Sequence, residues 1–249
     1  MIVIPMVGKS SRFFAAGYSR PKYELFLHAH SMFAWSVSSF RNYFKTDMFL
    51  FLVRRDFSAA EYVREQVELL GISQFHIKVF DEDTLGQADT VFQGLQDVAG
   101  GADEALYIFN IDSFRLNFVK PEFAEKCDGF LEVFEGNGDH WSFVKPGEHG
   151  KVLFTTEKQR VSNLCSDGLY YFRHRVNFES AFLDALKNEK TIRGEYYVAP
   201  LYNYLIDAGM DIQYSCIERD RVFFCGTPDE YDDLINSMSE ELDQCRFPV

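Results

Sequence analysis

Short apolar stretches alternate with helical patterns through the first half of this chain, and few folds accept that alternation. Residues 2–7, 47–53 and 105–109 read as apolar strands, and residues 75–80 alternate like a fourth. Between them, residues 31–43 place Phe33, Ala34, Val37 and Phe40 at helical spacing behind a Ser31 cap. Residues 58–70 read as a helix closed by Gly71, and residues 87–98 as another. Strands joined through helices pair in parallel, so the pattern predicts an α/β chain with helices on both faces of a parallel sheet. Ligands of such sheets sit beyond the carboxyl ends of the strands. Residues 8–22, 83–87 and 110–113 would gather at that edge.

The second half changes character. Residues 129–134, 140–145, 151–154 and 167–173 read as shorter, more antiparallel strands. Helices over 176–189 and 195–208 follow, the latter stopped by Gly209, and then strands over 211–217 and 221–224. Thr227-Pro228-Asp229-Glu230 opens a terminal helix, with Thr227 as N-cap, Pro228 in the first turn and Glu230 at the capping-box position. No internal repeat or low-complexity linker divides the 249 residues. The chain is read as a single domain, 1–249, made of halves 1–127 and 128–249.

Composition narrows the partners. Apolar residues make up 47% of the chain and 26 are Phe, enough for a sizeable core. With 38 acidic against 25 basic residues, net −13, the balance argues against non-specific nucleic-acid binding, which needs a basic face. No apolar run reaches the ~20 residues of a membrane span, and the first strand is too short for a signal peptide. The five cysteines, Cys127, Cys165, Cys216, Cys225 and Cys245, form no C-x-x-C pair and read as free thiols of a reducing cytoplasm. Nothing here decides whether the chain forms a homo-oligomer.

Against this acidic background the N-terminus is locally basic. The first strand runs into Gly8-Lys9-Ser10-Ser11-Arg12-Phe13 and then Gly17-Tyr18-Ser19-Arg20-Pro21-Lys22. Lys9, Arg12, Arg20 and Lys22 stand against a single acid, Glu24. A strand ending in a Gly/Ser loop offers backbone N–H groups to an anion, and Arg and Lys can hold phosphate. The same cations also fit an ordinary solvated loop. Asp112 follows an apolar strand, where it can serve Mg²⁺, a cation of hard oxygen ligands, or simply cap a turn. Glu157-Lys158 reads as a charged loop. Glu195 reads as the first-turn acid of a helix, favoured by the helix dipole. Tyr196, Tyr197, Tyr202 and Tyr204 suit helix packing, and His140 beside Trp141 suits either a pocket wall or a structural contact.

In these segments the chain resembles the sugar nucleotidyltransferase (nucleoside-triphosphate transferase) family, and more closely its branch from capsular and surface polysaccharide gene sets. The likeness begins with the two N-terminal loops and continues through Thr84-Leu85-Gly86-Gln87-Ala88-Asp89-Thr90-Val91 and Asn110-Ile111-Asp112. It extends over Trp141-Ser142-Phe143-Val144, Glu157-Lys158, Gly168-Leu169-Tyr170-Tyr171-Phe172, Gly194-Glu195-Tyr196-Tyr197-Val198-Ala199-Pro200-Leu201-Tyr202-Asn203 and Gly226-Thr227-Pro228. It therefore spans nearly the whole chain in order.

The resemblance implies a Rossmann-like, three-layer α/β/α fold of the GT-A-like kind, with a mostly parallel central sheet and a small antiparallel extension. It implies that Val7, Gly8, Lys9, Ser10, Ser11 and Arg12 wrap a nucleoside triphosphate. Lys22 would steady the α-phosphate, and Thr84, Gly86, Gln87, Thr90 and Asn110 would line the nucleotide side. Trp141, Glu157, Lys158, Gly168, Glu195 and Tyr197 would meet a phosphorylated small-molecule acceptor. Arg12, Lys22 and Asp112 would be catalytic, with Asp112 holding Mg²⁺. Two positions depart from the pattern. Ser10 stands where many members have Gly, so it must tolerate a positive φ or reshape the loop. Phe224 stands where many place a second metal-binding Asp. The expected activity is transfer of a nucleoside monophosphate from CTP or UTP to the acceptor, releasing pyrophosphate, for surface polysaccharide. The alternatives are a glycosyltransferase using a nucleotide sugar and a non-catalytic nucleotide-binding protein.

Overall fold

The computed structural model describes residues 1–237. Its elements in chain order are β1 (Ile2–Met6), α1 (Ser11–Ala15), β2 (Phe26–Leu27), β3 (His30–Ser31), α2 (Met32–Ser38), β4 (Met48–Arg54), α3 (Ala59–Leu70), β5 (Gln74–Phe80), α4 (Gln87–Leu95) and β6 (Leu106–Phe109). There follow β7 (Ser113–Arg115), β8 (Gly129–Glu135), β9 (Ser142–Pro146), β10 (Val152–Glu157), β11 (Leu164–Phe172), α5 (Arg175–Lys187), α6 (Tyr202–Asp207), β12 (Ile212–Ile217), β13 (Val222–Phe224) and α7 (Pro228–Ser237).

One mixed sheet runs through both halves of the chain. The first-half strands β5, β4, β1 and β6 lie side by side in parallel. Antiparallel β11 then pairs with β6 and joins the second half to the sheet. Beyond β11 the sheet splits, one arm carrying β8 and β12 and the other β9 and β10. Period-2 alternation sorts the side chains. Ile2, Ile4 and Met6 of β1 and Phe49, Phe51 and Val53 of β4 face one core, covered by Phe33, Val37 and Phe40 near α2 and by Val63 and Val67 of α3. Val3, Leu50 and Leu52 face the other, under Val91 of α4, Phe178 and Phe182 of α5 and Leu205 of α6. These layers are the three-layer α/β/α arrangement expected from the alternation.

Helix ends follow their sequence signals. The Ser31 Oγ accepts the Ala34 N–H at 3.2 Å, and Gly71 stops α3 at φ 72°. At α7 the Thr227 N–H donates to Glu230 Oε2 at 3.0 Å, and the Glu230 N–H donates back to Thr227 Oγ1 at 3.3 Å. Thr227→Ala removes one side of this box and is expected to cost ~1 kcal/mol, read as a lower unfolding midpoint in urea. An unchanged midpoint would mean that α7 adds nothing to the cooperative fold.

Three local expectations are corrected. The helix expected over 195–208 starts late. A 3-10 turn, Ala199–Leu201, leads into α6, while the Tyr196 N–H donates to Leu85 O at 2.7 Å and Tyr196 O accepts the Ala88 N–H at 3.0 Å. Pro200 suits only a first helical turn and disfavours helix before it, so Glu195 lies on loop backbone rather than at a helix N-terminus. The helix expected over 31–43 ends at Ser38 and resumes as a 3-10 turn. A strand unexpected from sequence, β7, follows Asp112 and pairs with β13, setting Ser113 opposite Phe224. Of the cysteines, Cys127, Cys165, Cys216 and Cys225 are free thiols, and Cys245 lies outside the described residues.

Candidate functional site

Two clefts open at the carboxyl edge of the sheet. The first, of about 670 Å³, is bounded by residues 5–13, by Lys22, Tyr23, Asp83, Thr84, Gly86, Gln87 and Thr90, and by residues 110–112, Glu195 and Gly226. Val7, Gly8, Lys9, Ser10, Ser11, Arg12, Lys22, Thr84, Gly86, Gln87, Thr90 and Asn110 all stand here. The second, of about 530 Å³, gathers Trp141, Glu157, Lys158, Gly168, Glu195 and Tyr197. Arg12, Gln87, Asn110, Asp112, Glu195 and Gly226 border both. The two clefts therefore meet at Asp112 and Arg12.

The N-terminal loop holds its shape through Ser10. Its backbone is left-handed (φ 51°, ψ 27°), a region that costs a non-glycine residue ~1–2 kcal/mol. Ser10 thus tolerates the positive φ. Its carbonyl accepts the Phe13 and Phe14 N–H groups at the start of α1, and its Oγ accepts the Lys22 N–H at 3.1 Å. One serine thereby ties the first loop to the second and sets the place of Lys22. The Lys22 Nζ donates to Asp112 Oδ2 at 2.6 Å. Burial pushes the Asp112 carboxyl up, but the Lys22 ammonium, its hydrogen bond and the Arg12 charge outweigh this and hold it below the usual carboxylate range. Asp112 is thus ionised at neutral pH.

Above the first cleft, residues 84–86 and the first turn of α4 are stitched in place. The Leu85 N–H donates to Asp89 Oδ2 at 2.7 Å, Thr90 Oγ1 donates to Gly86 O at 2.9 Å, and the Gln87 amide donates to Asn110 Oδ1. Lys9 and Arg54 both reach Asp83 at the rim.

In the second cleft the Lys158 Nζ donates to the Tyr197 hydroxyl at 2.5 Å, lies 4.3 Å from the Tyr197 ring centroid and stands 3.7 Å from Glu157 Oε1. Burial raises the Glu157 carboxyl above its ordinary range, against the opposing pull of a Ser142 hydrogen bond and Lys158. An aromatic wall closes the far side. His140 and Trp141 have ring centroids 4.3 Å apart, Trp141 and Phe224 4.6 Å. The Phe224 ring is 8% exposed and packs against Phe134, with the Arg219 guanidinium 5.1 Å from its centroid. Phe224 is therefore part of a hydrophobic wall.

The arrangement places a loop rich in backbone N–H groups, an ionised carboxylate and its paired ammonium where the two clefts meet. The chain is similar to the nucleoside-diphosphate-sugar pyrophosphorylase from Vibrio cholerae RC9, at 47% identity and TM-score 0.91, over 94% of this chain and 99% of that one. The chain belongs to the nucleoside-diphosphate-sugar pyrophosphorylase family. It is a nucleotidyltransferase. The inositol-1-phosphate CTP transferase from T. maritima shares the fold at 15% identity and TM-score 0.72, over 96% of each chain. So does a UDP-glucose pyrophosphorylase complexed with UDP-glucose, at 12% identity and TM-score 0.70, over 94% of this chain and 96% of that one. No protein-family model matches the chain, and no curated protein does.

Several residues of this nucleotidyltransferase's clefts escaped the sequence reading. Arg193, Asp167, Tyr170 and Glu230 all line the second. Arg193 and Gly194 occupy consecutive left-handed positions (φ 54° and 82°) in a turn closed between Ile192 and Glu195. The Arg-Gly pair was a readable turn signal. That it would rise beside Tyr197 was not. No helix of the described residues is long and apolar enough to cross a membrane.

Proposed function

We propose that the chain joins the nucleoside monophosphate of CTP or UTP to a phosphorylated small-molecule acceptor and releases pyrophosphate, in the making of a surface polysaccharide. The observation that carries this reading is the meeting of the two clefts at Asp112 and Arg12, with Lys22 bonded to Asp112 from the first. In this reading the first half of the chain, 1–127, supplies the nucleotide side and the second half, 128–249, the acceptor side. An acceptor phosphate oxygen attacks the α-phosphorus, and the bond from that phosphorus to the bridging oxygen of the β-phosphate breaks. Holding two anions in line and neutralising the charge that builds between them is the main task of such a site. Arg12 faces the β- and γ-phosphates, Lys22 the α-phosphate and Lys158 the acceptor phosphate. CTP and UTP are favoured by the family resemblance.

Mg²⁺ fits the donor set. Asp112 is an ionised carboxylate, and the bare Cα of Gly226 leaves its oxygens uncrowded: a Cβ there would stand 3.1 Å from Asp112 Oδ2 and 3.5 Å from Glu230 Oε2. Among the described residues no group of three or more acidic, His or Cys side chains could hold a metal by itself, so substrate phosphates would complete its shell. When bound, Mg²⁺ would supply charge neutralisation at the phosphates.

The test is pyrophosphate release from each of four NTPs with a panel of phosphorylated acceptors. Release with CTP or UTP supports the reading, and no release with any pair counts against it. Transfer from a nucleotide sugar without pyrophosphate would instead favour the glycosyltransferase alternative. Two variants assign roles. Lys22→Ala should lower kcat strongly with less change in nucleotide binding, because charge on the α-phosphate grows in the transition state. Arg12→Ala should weaken triphosphate binding more than monophosphate binding. Equal losses for the two would remove Arg12 from the β/γ-phosphates.

A further inference from the structure

Behind the second cleft, β11 makes a wide bulge. Ser166 pairs with Val133 and Tyr170 with Leu131, so Asp167, Gly168 and Leu169 all lie against the single residue Glu132 of β8. On the other side Leu169 pairs with Phe109 of β6, next to Asn110. Gly168 has φ 92°, and a Cβ there would fall 2.3 Å from Asn110 Nδ2. The bulge is thus the seat of Asn110, whose side chain borders both clefts and accepts from Gln87.

The residues that fix this seat carry an unusual charge balance. Asp167 is 1% exposed and Glu132 2% exposed. Asp167 Oδ1 accepts the Leu169 N–H at 3.0 Å, while its Oδ2 is buried and meets no donor. Arg115 Nε donates to Glu132 Oε1 at 2.7 Å. The charged and titratable groups that face Asp167 are Glu132 on β8, Arg115 on β7 and Tyr170 on its own strand, with Glu157 on β10 beyond Tyr170. Two buried carboxyls therefore stand near one guanidinium, which is bonded to Glu132. Two carboxylates buried opposite each other across the bulge are not both expected to stay ionised. A proton on Asp167 supplies the donor that its Oδ2 lacks and turns a repulsion into a hydrogen bond to Glu132.

We propose that Asp167 carries a proton that it donates to Glu132, and that this pair, with Arg115 bonded to Glu132, is a positioning unit that holds the β11 bulge beneath Asn110. Burial first, and then the neighbouring Glu132, raise the Asp167 carboxyl well above its ordinary range, in keeping with the geometry. Folding then takes up a proton once the pH exceeds the unfolded carboxyl range. The sign follows. Below pH ~4 the folded and unfolded states are both protonated and the pair costs no proton uptake. Above it, the pair's contribution to the folding equilibrium constant falls about tenfold per pH unit until the proton leaves the folded state. Glu132→Gln and Asp167→Asn each keep a hydrogen bond across the pair and remove the need for the proton.

The experiment uses the full chain without ligands. Infrared spectra at neutral pH should show a protonated-carboxyl C=O band in the wild type that is lost in Glu132→Gln and in Asp167→Asn. The wild type should lose stability relative to both variants as pH rises, with the tenfold slope. NMR resonances of the Gly168 backbone amide and the Asn110 side-chain amide should shift with the pair's titration in the wild type and stay still in Glu132→Gln. Absence of the band in the wild type would overturn the proton on Asp167. Gly168 and Asn110 signals that ignore the titration would overturn the positioning role. If Glu132→Gln fails to fold, Asp167→Asn carries the same comparisons.

Discussion

Asp112→Asn is expected to lower kcat by ~10²-fold or more, on the scale of losing a principal electrostatic stabiliser, while leaving the fold in place. The substitution keeps shape and an oxygen but removes the charge that the Lys22 ammonium meets at 2.6 Å and that Mg²⁺ would require. With Phe224 packed into an aromatic wall, no second carboxylate stands at that position to compensate. Pyrophosphate release in a Mg²⁺ titration checks this. Wild-type turnover and metal dependence in the variant would sink the placement of the metal. The stability effect should be small, because the Asp112 side chain is 30% exposed and its backbone carbonyl keeps the Cys225 N–H at 2.8 Å. It also has a direction. A carboxyl held below its ordinary range stabilises the fold above the unfolded carboxyl pKa, ~4, and loses that contribution as pH falls through the folded value. The difference in stability between wild type and Asp112→Asn should therefore close under acid.

The largest stability loss is expected at Gly86→Ala. Gly86 has φ 109° and ψ 179°, a region open essentially to glycine alone. A Cβ there would stand 2.7 Å from Tyr196 O and 2.8 Å from Tyr196 N, both backbone atoms that no rotamer change can move aside. Backbone strain of ~1–3 kcal/mol and overpacking of ~1–3 kcal/mol together predict a loss of ~3 kcal/mol or more. For a chain of this size that lowers the midpoint of thermal unfolding by ~10 °C. The same change should loosen the segment that carries Thr84, Gln87 and Thr90, and so weaken nucleotide binding. A variant that melts with the wild type would mean that the segment accommodates the methyl by moving away from Tyr196.

The parts of this protein legible from sequence are those decided within a few residues. Ser31 and Gly71 bracket their helices because capping and left-handed stops are local chemistry. The strand-helix alternation of the first half dictates parallel pairing because a parallel return needs a crossover. The loop that carries Gly8 and Ser10 announces itself as the break that ends the first strand. Even the tolerance of Ser10 for a positive φ was posed by the sequence, although only the backbone answers it. Where local signals conflict, the tertiary partner wins. Glu195 followed by a tyrosine-rich run reads as helix, yet Tyr196 pairs its backbone with Leu85 and Ala88, and Pro200 permits helix only after it.

The remainder depends on contacts between residues far apart in the chain. Residues 8–22, 83–90 and 110–112 share a cleft because β1 lies between β4 and β6. Asp112 meets Lys22 across 90 positions, and Phe224 finds Trp141 because β13 pairs with an unforeseen β7. Asp167 and Glu132 look like ordinary strand acids until a bulge brings them together over one arginine. By itself the sequence determined the parallel strands and covering helices of the first half, their layering and the residue types available for phosphate chemistry, because propensity, capping and periodicity act locally. The tertiary structure alone decided which charges face one another and which proton must stay, because those energies depend on distance and burial.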